Sequence, residues 1–284
     1  MKDRNERLET LADELARSDE NARAYFSRHT VMVPSRREVV LIIKKLRTLM
    51  FPEYFSLPED EGKSRVHLAD EVLMLLKRQL TAAYSFADTL PLVDTEDLAL
   101  DILERMTDIK ELLFKDITAI YEGDPAARSP EEIILSYPGF YAISIYRIAH
   151  ELYTRDIPYL PRMMTEYAHE KTGIDIHAGA TVGEYFFIDH GTGIVIGETT
   201  TIGDRVKLYQ GVTLGAKSFE LDSDGNPIKG IKRHPDIGND CVIYANATIL
   251  GGNTKIGDGC TIGGNVWLTH SVPAGQTVYY ESKK

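Results

Sequence analysis

Aliphatic residues in the second half of the chain fall on a six-residue beat. Ile176, Val182 and Ile188 keep it, then Ile196, Ile202, Leu208 and Leu214, then Ile237, Ile243 and Ile249, and last Ile256, Ile262 and Leu268. Seven of these thirteen are followed directly by Gly. An α-helix repeats about every 3.6 residues and a half-buried strand alternates side by side, so neither carries this pattern. A hexad repeated this often predicts a parallel β-helix, with one flat side of a coil per hexad and the aliphatics inside.

The beat slips three times. Eight residues separate Ile188 from Ile196, seven separate Ile249 from Ile256, and 23 separate Leu214 from Ile237. The long gap holds Ser218 through Pro227, which is polar and turn-rich, so it must loop out of the coil.

The first half has a helical period instead. Apolar positions at helical steps predict helices over 37–46, 66–86, 94–121, 142–153 and 158–171. Gly123-Asp124-Pro125 ends one of them. Ser129-Pro130-Glu131-Glu132 reads as an N-cap followed by Pro at the first helical position. Tyr137-Pro138-Gly139 interrupts again, and Gly173 closes the last helix. The chain therefore divides into an α-helical domain, 1–172, and a β-helix domain, 173–284, with an excursion loop at 216–236. This is a two-domain α+β organisation.

Composition narrows the partners. The chain has 284 residues and a net charge of −11, which argues against a nucleic-acid partner held by a broad basic surface. No run approaches the ~18 apolar residues of a membrane span. The charged start, Met1 to Glu6, is not a signal peptide. The two cysteines, Cys241 and Cys260, form no CxxC and fit a reducing cytoplasm. Each stands two residues before an aliphatic of the beat, so the pair is expected to stack as small inner residues.

Because aliphatics fill the coil, charged residues and His belong on its outside or its corners. Three places concentrate them: Asp175-Ile176-His177, Asp189-His190-Gly191-Thr192-Gly193 at the first slip, and Arg233-His234-Pro235 at the base of the loop. An Asp beside a His suits general-base work on an alcohol, since the carboxylate fixes the tautomer and stabilises the charged ring. Arg233 could instead pair with a loop acid such as Asp222 or Asp236. His177, His150 and His169 read as corner, packing or surface residues.

These stretches, together with Ile188 through Thr199 (IDHGTGIVIGET) and Gln210-Gly211-Val212-Thr213-Leu214-Gly215, closely resemble the serine O-acetyltransferase family in order and spacing. Gly123 to Ser129, Tyr137 to Ala142 and Tyr146 to His150 match its helical domain, and the resemblance runs from about 120 to 272. It implies a left-handed β-helix of hexapeptide repeats and acetyl-CoA-dependent O-acetylation of L-serine, the first step of cysteine synthesis. By position, His190 is the general base and Asp175 the carboxylate that orients it. Asp124 and Asp189 hold the serine ammonium. Arg233 clamps the carboxylate, and His234 contacts the amino acid or the oxyanion. Gly215, Ala216, Ala245 and Gly264 let the pantetheine arm lie along the coil. No metal is expected. The chemistry agrees, because serine is a zwitterion and needs acids at one end and a guanidinium fork at the other.

The resemblance also implies a homotrimer, with a hexamer of paired trimers as the larger alternative. The last residues, Val278 to Lys284, lack the Ile-ended tail that docks into O-acetylserine sulfhydrylase, so that complex is not expected. Competing readings are an acetyltransferase for homoserine, a sugar or an antibiotic; a zinc lyase using His177, His190 and His234; and an inactive scaffold.

Overall fold

The structure, a computed structural model, describes residues 3–22 and 32–280. The expectations that rest on Met1, Lys2 and the C-terminal residues 281–284 lie outside these.

Nine α-helices precede the strands among the described residues: α1 (Arg4–Ala22), α2 (Arg36–Met50), α3 (Pro52–Phe55), α4 (Arg65–Ala87), α5 (Thr95–Glu104), α6 (Met106–Gly123), α7 (Pro130–Ser136), α8 (Pro138–Tyr153) and α9 (Leu160–Thr172). α1 and α3 have no counterpart among the expected helices, and two of the expected ones differ. The helix expected over 94–121 is divided at Arg105, whose N–H turns back to the Asp101 and Leu103 carbonyls. The helix expected from Ala142 starts at Pro138. Tyr137 is both the C-cap of α7 and the N-cap of this helix, so the expected interruption is present and the proline takes the first position of the new helix. The Ser129 cap is present, with its Oγ accepting the Glu132 N–H at 3.3 Å. Gly173 closes α9 at φ +70°.

The strands are short: β1 (Asp175–Ile176), β2 (Thr181–Val182), β3 (Phe187–Ile188), β4 (Val195–Ile196), β5 (Thr201–Ile202), β6 (Lys207–Leu208), β7 (Thr213–Gly215), β8 (Asp236–Ile237), β9 (Val242–Ile243), β10 (Thr248–Leu250), β11 (Lys255–Ile256), β12 (Thr261–Ile262), β13 (Trp267–Leu268) and β14 (Thr277–Val278). They form three parallel sheets, ordered β1-β4-β7-β10-β13, β2-β5-β8-β11 and β3-β6-β9-β12-β14. These are the first, second and third faces of a left-handed parallel β-helix. The register stacks the beat on itself: Ile196 pairs with Leu214, Ile202 with Ile237, and Leu208 with Ile243. All of these are buried, each contributing about 1.5–3 kcal/mol by burial alone. Cys241 and Cys260 are buried between coils, and burial pushes the Cys241 thiol up to about 11.

Helix α8 crosses the first coil. At its start Gly139 lies so close to β3 that a Cβ there would sit 2.5 Å from the Ile188 carbonyl oxygen. Midway, the Tyr146 hydroxyl donates to the Ala180 carbonyl at 2.5 Å. Arg147 donates to both oxygens of Asp116 on α6, at 2.6 and 2.8 Å, and to the Gly183 carbonyl at 2.8 Å. Near its end, Tyr153 packs edge-on against His177. One helix therefore ties the helical residues to two corners of the coil. No described helix is long and apolar enough to cross a membrane.

Candidate functional site

The two extra residues between Ile188 and Ile196 form the corner between the third and first faces. The backbone needs left-handed conformations to make that turn: φ is +57° at His190, +78° at Gly191 and +84° at Gly193. The widened corner pushes His190 outward, with 69% of its side chain exposed. The Asp189 Oδ1 lies 3.4 Å from its Nδ1.

Asp124 arrives at the same edge from the helical half. It follows α6, whose last residue, Gly123, packs against the Phe187 ring. Both of its oxygens are engaged: Oδ1 accepts the Ala126 N–H at 2.8 Å, and Oδ2 accepts the Tyr137 hydroxyl at 2.6 Å. That hydrogen bond, with burial and the nearby Glu132 and Asp189 carboxylates, pushes the Tyr137 hydroxyl up to about 12. Burial also raises Tyr209, with Tyr244, Asp189 and Asp124 adding to it. Neither Asp124 nor Asp189 is paired with a Lys or Arg among the described residues. This edge therefore offers two uncompensated acids beside an exposed imidazole. Tyr137 was not picked out from sequence; its place in the Tyr-Pro-Gly interruption was the available signal.

Asp175 begins β1 at the same edge, where the Gly193 N–H donates to the Gly173 carbonyl at 2.8 Å. It makes no hydrogen bond or ion pair with His190 within the chain. Its carboxylate instead clusters with Glu166 and His169 of α9, with ligand atoms within 4.8 Å of one another. That is the one group of three metal-ligating side chains among the described residues, so His177, His190 and His234 are not gathered into a zinc set within this chain.

Arg233 and His234 sit at the other end of the first face, on the corner leading to the second. The loop between β7 and β8 carries a hairpin, with an antiparallel bridge from Leu221 to Pro227. Its turn is held by Asp222 Oδ1, which accepts the Asp224 and Asn226 N–H groups, each at 2.9 Å. Phe219, Asp222, Asn226 and Lys229 of the loop, with Glu198 and Arg233, line a cleft of about 860 Å³. The Arg233 guanidinium pairs with Glu198 rather than with Asp222 or Asp236. Asp236 is taken by Lys232 at 2.5 Å. The Tyr153 hydroxyl donates to the other Glu198 oxygen at 2.9 Å. Burial works against the Glu198 charge, but Arg233 and Tyr153 win and hold its carboxyl below the ordinary range. Glu198 and Thr199 stand inside the IDHGTGIVIGET stretch, yet sequence reasoning gave them no role.

Thr199 fixes the tautomer of His234. The Thr199 hydroxyl accepts the backbone N–H groups of Arg233 and His234, at 2.9 and 3.1 Å. Its own proton then goes to His234 Nδ1 at 2.9 Å, which also accepts the Thr199 N–H at 3.1 Å. With Nδ1 accepting twice, the ring proton is on Nε2, and His234 is a neutral donor. Gly197 makes room for it, because a Cβ there would fall 2.0 Å from the imidazole.

Burial, reinforced by Arg233, Lys232 and His177 and opposed by Glu198, pushes His234 down to about 4. The ordinary value for an imidazole is 6.5. Below that pH the unfolded chain binds a proton that the folded chain refuses. Stability is therefore complete above pH 6.5 and declines as pH falls toward 4. Thermal unfolding against pH should slope less in His234→Asn than in wild type; equal slopes would remove His234 as the cause.

The four small residues divide between the two edges. Gly215 ends β7 and Ala216 follows on the Arg233 edge, while Ala245 and Gly264 stack on the His190 edge, the Asn265 N–H donating to the Ala245 carbonyl at 2.9 Å. A Cβ at Gly264 would lie 3.2 Å from the Ala245 oxygen, a tight contact on that edge.

Comparison with known proteins gives a consistent family. Residues 63–144 match the family described as serine acetyltransferase, N-terminal. A plasmid serine acetyltransferase of Synechococcus elongatus is 47% identical over 260 residues, covering 87% of this chain and 81% of that protein. The solved structure of Entamoeba histolytica serine acetyltransferase 1 in complex with L-cysteine is 39% identical, with a TM-score of 0.74 over 84% of this chain and 86% of that one. A serine acetyltransferase solved in complex with CoA is 25% identical, with a TM-score of 0.55 over 84% of this chain and 96% of that one.

Proposed function

Because the chain belongs to the serine acetyltransferase family, we propose that its two edges supply the halves of one active site. The enzyme transfers the acetyl group of acetyl-CoA to the hydroxyl of L-serine, giving O-acetylserine and CoA in cysteine biosynthesis. His190 takes the proton from serine Oγ as Oγ bonds to the thioester carbonyl carbon. The C–S bond then breaks, and the proton passes from His190 to the departing sulfur. Asp175 orients the imidazole, and Asp124 and Asp189 hold the ammonium. The Arg233 fork takes the carboxylate, and the His234 Nε2–H donates to the amino acid or the oxyanion. Gly215, Ala216, Ala245 and Gly264 flank the pantetheine arm.

The observation that carries this reading is the division of charge. Asp124 and Asp189, which no Lys or Arg pairs with among the described residues, share one edge with the imidazole, while Arg233, held by Glu198, and His234 lie on the next. A zwitterion needs both, so the His190 edge of one copy faces the Arg233 edge of another. Three-fold packing of a three-sided coil provides that contact, which supports a homotrimer; pairing of trimers would give the hexamer. Residues 1–172 serve assembly and supply Asp124, and residues 173–284 carry the rest. Two buried unpaired thiols suit a reducing cytoplasm.

Mixing tests the arrangement. His190→Ala and Arg233→Ala subunits should each be nearly inactive alone. Co-assembled in equal amounts, they should regain roughly a quarter of wild-type sites, because that share of interfaces pairs two intact edges. No recovery from verified mixed oligomers would place the whole site within one chain.

A further inference from the structure

Among the described residues, buried cations other than Arg47 have acid partners. Lys45 has Asp60 and Glu71, each at 2.7 Å, and Arg147 has Asp116. Arg47 retains only 7% of its surface, yet no carboxylate meets it. Its guanidinium is held between two rings, with Cζ 3.9 Å from the Phe55 centroid and 4.3 Å from that of Tyr141. Its Nε is buried without a hydrogen-bond partner. Aromatic faces offset only part of the cost of removing a full charge from water. Burial accordingly lowers the guanidinium pKa.

Arg47 lines a cleft of about 350 Å³ between α2 and α3 on one side and the α7–α8 junction on the other. Lys171 stands on its wall, paired with Glu170 at 3.1 Å, and no Asp or Glu lines the cleft itself. Tyr137 and Pro138, where α8 begins, form part of the rim, and Tyr137 gives that helix no side-chain cap. Pro138 has no N–H to donate, so the cationic side chains, not the helix start, supply the charge of the cleft. Phe55, Ile134 and Leu135 make the remaining surface apolar. This is the reverse of the His190 edge, where acids gather.

We propose that this cleft binds a small oxyanion, a carboxylate or a phosphate ester with a short apolar body, through Arg47 and Lys171. The planar guanidinium, already fixed by its two rings, is arranged for two parallel hydrogen bonds to such a group. The site lies behind Tyr137, whose hydroxyl ends on Asp124. Its existence does not depend on the acetyltransferase reading.

Thermal unfolding of the full chain tests it, with sodium phosphate and sodium succinate titrated separately at ionic strength matched by sodium chloride. We expect a saturable rise in Tm with at least one probe. A phosphate response identifies a phosphate site, and a succinate response a carboxylate site. Arg47→Met should abolish the rise, and should be at least as stable as wild type in chloride because it removes an uncompensated charge. Arg233→Met should leave the rise intact, which separates this cleft from the substrate site. Should Arg47→Met not fold, isothermal titration with Lys171→Gln should give several-fold weaker binding. No saturable rise with either probe, or an equal rise in Arg47→Met, would overturn the proposal and leave Arg47 as a packing cation.

Discussion

His190→Ala should lower kcat/KM for L-serine by about 10²–10⁴-fold, the usual worth of a positioned general base. The loss should fall mainly on kcat, because the ammonium and the carboxylate are held by other side chains. Stability should hardly change. The ring is 69% exposed, and its nearest polar partner is the Asp189 carboxylate at 3.4 Å. A circular dichroism melt matching wild type, beside a collapse in thiol release from acetyl-CoA, would separate chemistry from folding. Activity within about threefold of wild type would remove His190 as the base, since even weak general-base catalysis exceeds that.

Asp116→Asn should be the most destabilising of the conservative changes, by about 3–5 kcal/mol. Asp116 is fully buried, and the Arg147 side chain that it pairs with is 5% exposed. Asn keeps the shape but takes away the charge. Arg147 would then be a cation buried against the Gly183 carbonyl with no counter-ion. At this chain length the loss corresponds to a fall in Tm of roughly 6–20 °C. The Phe186 N–H, which donates to Asp116 Oδ1 at 2.9 Å, would also be weakened. Replacing both partners with apolar residues should recover part of the loss, because no charge is then stranded. A calorimetric change below about 1 kcal/mol would mean that the pair is not what ties α6 and α8 to the coil.

Much of this was legible because the hexad is a local signal. Each aliphatic of the beat pairs with its counterpart one coil away, as Ile196 does with Ile176 and Leu214. The slip after Ile188 pointed to His190 because a coil with two surplus residues must bulge at a corner. The gap after Leu214 likewise pointed to Arg233. Asp124 was a different case. It stands in a helix-ending Gly-Asp-Pro that could belong to any protein, and only family resemblance raised it. The Tyr137–Asp124 bond, the Asp116–Arg147 pair and the Arg47 sandwich join residues from different helices. No periodicity encodes such contacts, because they depend on how α6, α8 and the first coil are docked. The interruption at Pro138 is where α7 ends, but the start of α8 at that residue rather than at Ala142 was missed for a related reason. The same residue type breaks a helix from within and starts one at its first position.

Acceptor-dependent release of CoA thiol by the wild-type protein tests the central claim most directly. The account predicts release with L-serine, and much weaker release with serinamide, which keeps the ammonium for Asp124 and Asp189 but offers Arg233 no carboxylate. Release that ignores that substitution, or that requires homoserine or a sugar in place of serine, would contradict it.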